Sequence, residues 1–175
     1  MKCAWRGLVV AAAVAGALGG CAQAPVLRGT GDLGVVIERA SGAVQVVDHS
    51  AHASLGRVPG LGDLSHAHVT YSRDARYAFV FGRDGGLTKV DLLTQRIVKR
   101  VIQAGNSIGG SVSQDGRLVV AQNYTPGGIK AFDAETLELV SEVPAEYAPG
   151  QFSKVVGLAD VPGQKFAYAL FRSEE

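Results

Sequence analysis

Three features of this sequence predict an all-β fold, a β-propeller built from repeated four-stranded blades. The motif Ser72-Arg73-Asp74-Ala75-Arg76, placed before an apolar strand, returns 41 residues later as Ser113-Gln114-Asp115-Gly116-Arg117. Alternating strands end in Asp48, Asp91 and Asp133, which are spaced 43 and 42 residues apart. The chain is rich in glycine and valine, and no apolar period of 3.6 residues runs through it. A period near forty with about four short strands per unit is that of propeller blades and too long for a leucine-rich solenoid.

The first element stands before the repeats. Lys2 and Arg6 make a basic start, and residues 8–18 are an apolar run. As a helix this run would span about 17 Å, short of a hydrocarbon core about 30 Å thick, so it has the length of a secretory signal and not of a membrane span. It ends in Leu18-Gly19-Gly20-Cys21, which resembles a bacterial lipobox with Cys21 as the lipidated residue. Ala22 follows where an aspartate would signal inner-membrane retention, which points to the outer membrane. The expected organisation is a signal peptide at 1–20, a lipidated tether at 21–30 and a partial propeller at 31–175, facing the periplasm.

Cys3 and Cys21 are the only cysteines, so the mature chain keeps no thiol for a disulfide, a cysteine-ligated metal or a cysteine nucleophile. Without the signal, fifteen basic residues stand against sixteen acidic ones, with no basic run. Nucleic-acid binding has no electrostatic footprint here.

The blades follow in order. Residues 34–58 read as the end of one blade, 65–105 and 106–144 as two full blades, and 155–171 as the start of a fourth, about three to three and a half in all. Within each, Ser-x-Asp-x-Arg is a turn whose Ser and Asp cap backbone amides, and the strand-ending Asp accepts hydrogen bonds from the next turn. The stretch Tyr77-Ala78-Phe79-Val80-Phe81 is apolar throughout, as in a sheet packed on both faces. Stopping in mid-blade leaves apolar faces uncovered, so the sequence reads as C-terminally truncated and poorly stable alone. Gly29-Thr30-Gly31-Asp32-Leu33-Gly34 fits the spacing of a dinucleotide loop but precedes a strand instead of following one, and reads as a turn.

Further stretches carry a resemblance over residues 31–171. These are Gly34-Val35-Val36-Ile37-Glu38-Arg39, Leu64-Ser65-His66, Phe81-Gly82-Arg83-Asp84-Gly85-Gly86, Asn123-Tyr124-Thr125-Pro126 and Asp133-Ala134-Glu135-Thr136-Leu137-Glu138. They resemble the haem d1 propeller of cytochrome cd1 nitrite reductase, an eight-bladed domain. The lipoprotein signal, the lack of a Cys-x-x-Cys-His motif and the run Gly105-Asn106-Ser107-Ile108-Gly109-Gly110 are similar to the haem d1 biosynthesis branch of that superfamily.

The resemblance implies a tetrapyrrole site. Arg39 and Arg83 match arginines that hold haem d1 carboxylates; His66, or else His68, falls beside the iron ligand; Tyr124 matches a tyrosine on the distal side. The spacing from Arg39 to His66 is one residue longer than in the reductase, and one of its binding arginines is Gly109 here. The chemistry suits these residue types, because guanidinium forks bind carboxylates bidentately and a neutral imidazole ligates iron. Both arginines sit at strand-to-turn junctions that recur in successive blades, so they are expected at one end of the propeller. The bland reading pairs each with its acidic neighbour, Glu38 or Asp84. By strand alternation His68 is expected to face the same side as His66. Tyr124 either stacks on a macrocycle or caps the turn after it. Asn106, Ser107 and Asn123 are weaker candidates, read as loop polar groups at the same end.

The implied function is a lipid-anchored periplasmic protein that binds haem d1 or its precursor and acts in making the nitrite reductase cofactor for denitrification. It would be a catalyst, such as a precursor dehydrogenase, or a carrier serving nitrite reductase and other haem d1 assembly proteins. The alternative is a propeller scaffold or lactonase-like protein without a tetrapyrrole.

Overall fold

The computed structural model describes residues 29–163 and 165–171. The expected signal peptide and the expected lipid site Cys21 lie outside these residues. Fifteen strands in antiparallel pairings, joined by turns and loops, make up the described residues, with one short 3-10 turn, Arg39–Ser41.

The first sheet is β1 (Leu33–Glu38), β2 (Ala43–Asp48) and β3 (Ala53–Pro59). The second is β4 (His68–Tyr71), β5 (Tyr77–Phe81), β6 (Gly86–Asp91) and β7 (Arg96–Ile102). The third is β8 (Asn106–Val112), β9 (Leu118–Thr125), β10 (Gly128–Asp133) and β11 (Leu139–Val143). A small hairpin, β12 (Glu146–Ala148) and β13 (Gln151–Phe152), precedes the pair β14 (Lys154–Val161) and β15 (Lys165–Phe171). Aligned on the repeated motifs, β1 to β3 match β5 to β7, and β14 and β15 match β8 and β9. These are the units the repeat spacing predicts.

The repeated turns close as their residues dictate. Ser72 Oγ bonds Asp74 at 2.6 Å and receives the Tyr77 amide at 2.9 Å; Ser113 does the same with Asp115 and Leu118 at 2.6 and 2.9 Å. The left-handed position of this turn is Gly116 in one blade (φ 74°) and Ala75 in the other (φ 55°). The strand-ending carboxylates each collect amides from the next turn: Asp91 from Leu93 and Thr94, Asp133 from Glu135 and Thr136, Asp48 from Ala51.

The core lies between blades. Ala78 and Val80 point to the first blade, joining Val44, Val46, Leu61 and Leu64, while Phe79 and Phe81 point to the third, joining Val112, Val119 and Phe132. Alternation along one strand thus fills two interfaces, which explains its unbroken apolar run. Val120, Ile129, Ala145 and Val155 form the interface with β14. Lys89 also crosses between blades: its ammonium donates to the carbonyls of Ala134 and Glu135 at 2.9 and 3.0 Å and lies 4.1 Å from the Tyr77 ring centroid. Burial pushes its pKa below the usual lysine range. In the β14–β15 pair Val156, Tyr168 and Leu170 are exposed.

Antiparallel order places each loop entering an inner strand at the same end as the turn between the second and third strands. Backbone contacts show the coincidence: the Leu61 amide bonds Gly42, Arg83 bonds Asp63, Gln103 bonds Gly85, and Gly105 bonds Thr125, all at 2.8 to 3.0 Å. This end is called the rim below.

Candidate functional site

The rim collects most of the residues singled out in the sequence. A cavity of about 90 Å³ is lined by His66, Arg83, Asn106, Ile108 and Tyr124. The second blade supplies His66 from its entry loop and Arg83 from its β5–β6 turn, and the third supplies the rest from β8 and β9. The loop from β3 to β4 and the hairpin-bearing connection from β11 to β14 are long, whereas β7 passes to β8 through residues 103–105 alone. The short crossing leaves the notch. A β-bulge at Asn106 and Ser107 shifts the start of β8 against β9, the sort of irregularity that re-aims a side chain.

The electrostatics turn on which arginines already have partners. Glu38 takes the Arg57 guanidinium at 2.7 Å and the Ser41 hydroxyl at 2.8 Å, and Asp84 takes Arg100 at 2.5 Å. Arg57 and the Ser41 hydroxyl hold the Glu38 carboxyl below its usual range. The acidic neighbours of Arg39 and Arg83 are therefore occupied, and the local pairing of the bland reading is not formed. Among the described residues neither guanidinium has a hydrogen-bond or ion-pair partner. Ser65 holds the Asp63 carboxyl below its usual range, with a smaller contribution from the Arg83 charge. The Asn106 side-chain oxygen is buried and without a partner in the same cavity, and such an atom calls for a donor from elsewhere. A lining of one free guanidinium, an imidazole, a phenol and an orphaned acceptor fits an acidic ligand edge. The notch has the volume of a ligand substituent.

Other expectations change. His66 lies in a turn before β4 and not in the strand, so alternation does not link it to His68. His68 packs its ring toward the third blade, 6.2 Å from the Phe81 ring and beside Gly109, and does not line the cavity. Burial lowers its pKa, partly offset by a backbone hydrogen bond with Gly110. Asn106, Ser107 and Asn123 are strand residues and not loop residues. Asn123 is fully buried, its amide paired with Gln103 in both directions at 2.8 and 2.9 Å, and Ser107 Oγ donates to Gln122 at 2.9 Å. Both are structural because their polar atoms are satisfied away from the notch. Arg39 is exposed on the rim of the first blade, outside the cavity.

One rim residue escaped the sequence reading. Lys154 opens β14, the position that His68 and Asn106 hold in the earlier inner strands, and its ammonium lies 5.6 Å from the Tyr124 ring centroid. The β12–β13 hairpin lengthens the spacing and hides this equivalence.

Fold and rim together define the class: a propeller-blade chain with a cationic notch, and it belongs to the cytochrome D1 heme domain family, which it matches over residues 28–175. Among individual proteins it is similar to Protein NirF of Pseudomonas aeruginosa, 66% identical over 160 residues, and to Protein NirF of Stutzerimonas stutzeri, 61% identical over 165. These alignments take in 90% and 93% of this chain but 41% and 42% of the relatives, so the chain spans about two fifths of their length. It is 34% identical over 131 residues to the dihydro-heme d1 dehydrogenase of Pseudomonas aeruginosa, covering 75% of this chain and 26% of that protein. A solved structure of dihydro-heme d1 dehydrogenase NirN in complex with DHE superposes with a TM-score of 0.72 at 34% identity, covering 79% of this chain and 30% of that chain.

Proposed function

We propose that this chain is part of a protein that holds haem d1 or its precursor while the nitrite reductase cofactor is made. The observation that carries the reading is the convergence of His66, Arg83, Asn106 and Tyr124 on one notch, with the Arg83 guanidinium unpaired. The family and the named relatives support it. Arg83 holds a ligand carboxylate, with Arg39 offering a second cation on the same rim. His66 supplies the imidazole for iron, Tyr124 lies along the ring, and Asn106 accepts a hydrogen bond that fixes the ligand's orientation. When bound, the tetrapyrrole supplies iron and a conjugated macrocycle. Cys21 carries the lipid that tethers the chain to the periplasmic side of the outer membrane, a reading supported by residues 8–21 of the sequence. Other haem d1 assembly proteins and nitrite reductase are the partners of this role.

The test is titration of the full-length protein with haem d1. The Soret and red bands shift in wild type, Arg83→Ala weakens binding about tenfold as expected for one charged contact, and His66→Ala removes the ligated spectrum. His68→Ala keeps that spectrum. Absence of any spectral change in wild type overturns the reading. Turnover of a precursor by the purified protein assigns catalysis, and stoichiometric binding with transfer to nitrite reductase assigns carriage.

A further inference from the structure

Lys154 belongs to none of the contacts inferred from the family resemblance, and it does not line the notch, yet it lies over one of the notch's walls. Tyr124 is a wall of the cavity, and the Lys154 ammonium lies over its ring at 5.6 Å. No carboxylate pairs with it among the described residues. Lys130, within β10, is by contrast within 3.5 Å of Glu142, and Lys99 reaches the Thr136 carbonyl at 2.6 Å. Lys154 is also exposed, so its ammonium is free to move. Arg83 comes from the second blade and Lys154 from the fourth, and Asn106, Ile108 and Tyr124 of the third lie between them. Arg83 thus lines the notch, and Lys154, without a carboxylate partner among the described residues, lies over its Tyr124 wall.

We propose that Lys154 is a further carboxylate-holding residue of this site, bound to an acid substituent of the ligand on the side away from Arg83. This rests on the tetrapyrrole reading above. Without ligand, the ammonium lies on the face of Tyr124, a weak contact for an exposed pair. A flat ring seated on Tyr124 displaces it, and the four-carbon stem lets the charge follow a ligand carboxylate. The sites differ in kind: Arg83 offers a planar fork, and Lys154 offers a mobile point charge.

The experiment uses the full-length protein, with haem d1 as free acid and as its methyl ester. Wild type binds the acid more tightly than the ester. Lys154→Gln weakens acid binding about tenfold, the scale of one charge-assisted contact, and leaves ester binding unchanged; Lys154→Arg restores the acid. The wild-type preference for the acid shrinks as salt rises. Acid binding at wild-type strength in Lys154→Gln overturns the proposal, and so does an equal loss for acid and ester, which marks a packing role. Circular dichroism and the unfolding midpoint confirm that the variant is folded. Wild type failing to bind either form overturns the tetrapyrrole reading itself, and this proposal with it.

Discussion

Asp84 receives the Arg100 guanidinium at 2.5 Å, so Arg83, next to Asp84 in the chain, keeps its charge free for the notch. The same carboxylate accepts the Gly86 amide at 3.0 Å and the Asp63 amide at 3.3 Å, and so holds together the turn that presents Arg83 and the loop that leads to His66. Asp84→Asn and Arg100→Gln should each lower stability of the full-length protein by about 1 kcal/mol, the scale of a partly exposed, hydrogen-bonded pair. A double-mutant cycle from denaturant midpoints should return a coupling of similar size. Additive effects would show that the pair does not act as one.

The Gln103–Asn123 amide pair fixes the crossing beneath the notch. Asn123→Ala leaves the buried Gln103 amide without its partner and should cost about 2–3 kcal/mol, the desolvation penalty of such a group. Replacing both residues by leucine should cost less than the single change, because no polar atom is then stranded. Chemical denaturation of the two variants beside wild type decides between this and a direct role in ligand binding, which would show in the titration instead.

Gly110 on β8 faces the second blade at close range. A Cβ there would stand 2.2 Å from the Val120 carbonyl oxygen and 2.3 Å from Phe81 Cζ. Neither can withdraw, because Val120 is ladder backbone and Phe81 is fully buried. Gly110→Ala should destabilise by about 3 kcal/mol, at the upper end of overpacking effects. A thermal midpoint equal to wild type would show that the blades can separate there.

The repeated turns predict an acid limb to stability. Hydrogen bonds from the hydroxyls of Ser72 and Ser113 hold the Asp74 and Asp115 carboxyls below their ordinary 3.8, and the amide of Thr136 does the same for Asp133. With folded values depressed, the unfolded chain binds more protons between the folded values and 3.8, so stability rises with pH across that interval. The contribution is complete above about 3.8 and is lost as pH falls through the lower folded values. Asp115→Asn should flatten this acid limb while leaving the alkaline side unchanged, as read by unfolding midpoints across pH.

The repeats carried the architecture because turn chemistry is local: Ser, Asp and a left-handed position within five residues close the same loop wherever they occur. They also located the Arg83 and His66 turns, since strand order alone puts those junctions at one end. Strand alternation failed at His66 and His68 because it applies only inside a strand, and β4 begins at His68. Asn123 could not be told from a ligand contact, since its partner Gln103 enters from a different strand's end.

By itself the sequence determined the all-β class, the blade period, the turn residues and the end of the propeller where the candidate site lies, all of which follow from short-range hydrogen bonding and a two-residue side-chain period. Only the tertiary structure decided which charges are free. Arg57 and Arg100 come from the last strand of their own blades to occupy Glu38 and Asp84, Lys89 spends its ammonium on carbonyls of the next blade, and Lys154 lies over Tyr124. Such pairings join residues far apart in the chain. Charge compensation depends on distance in space, which no local pattern records.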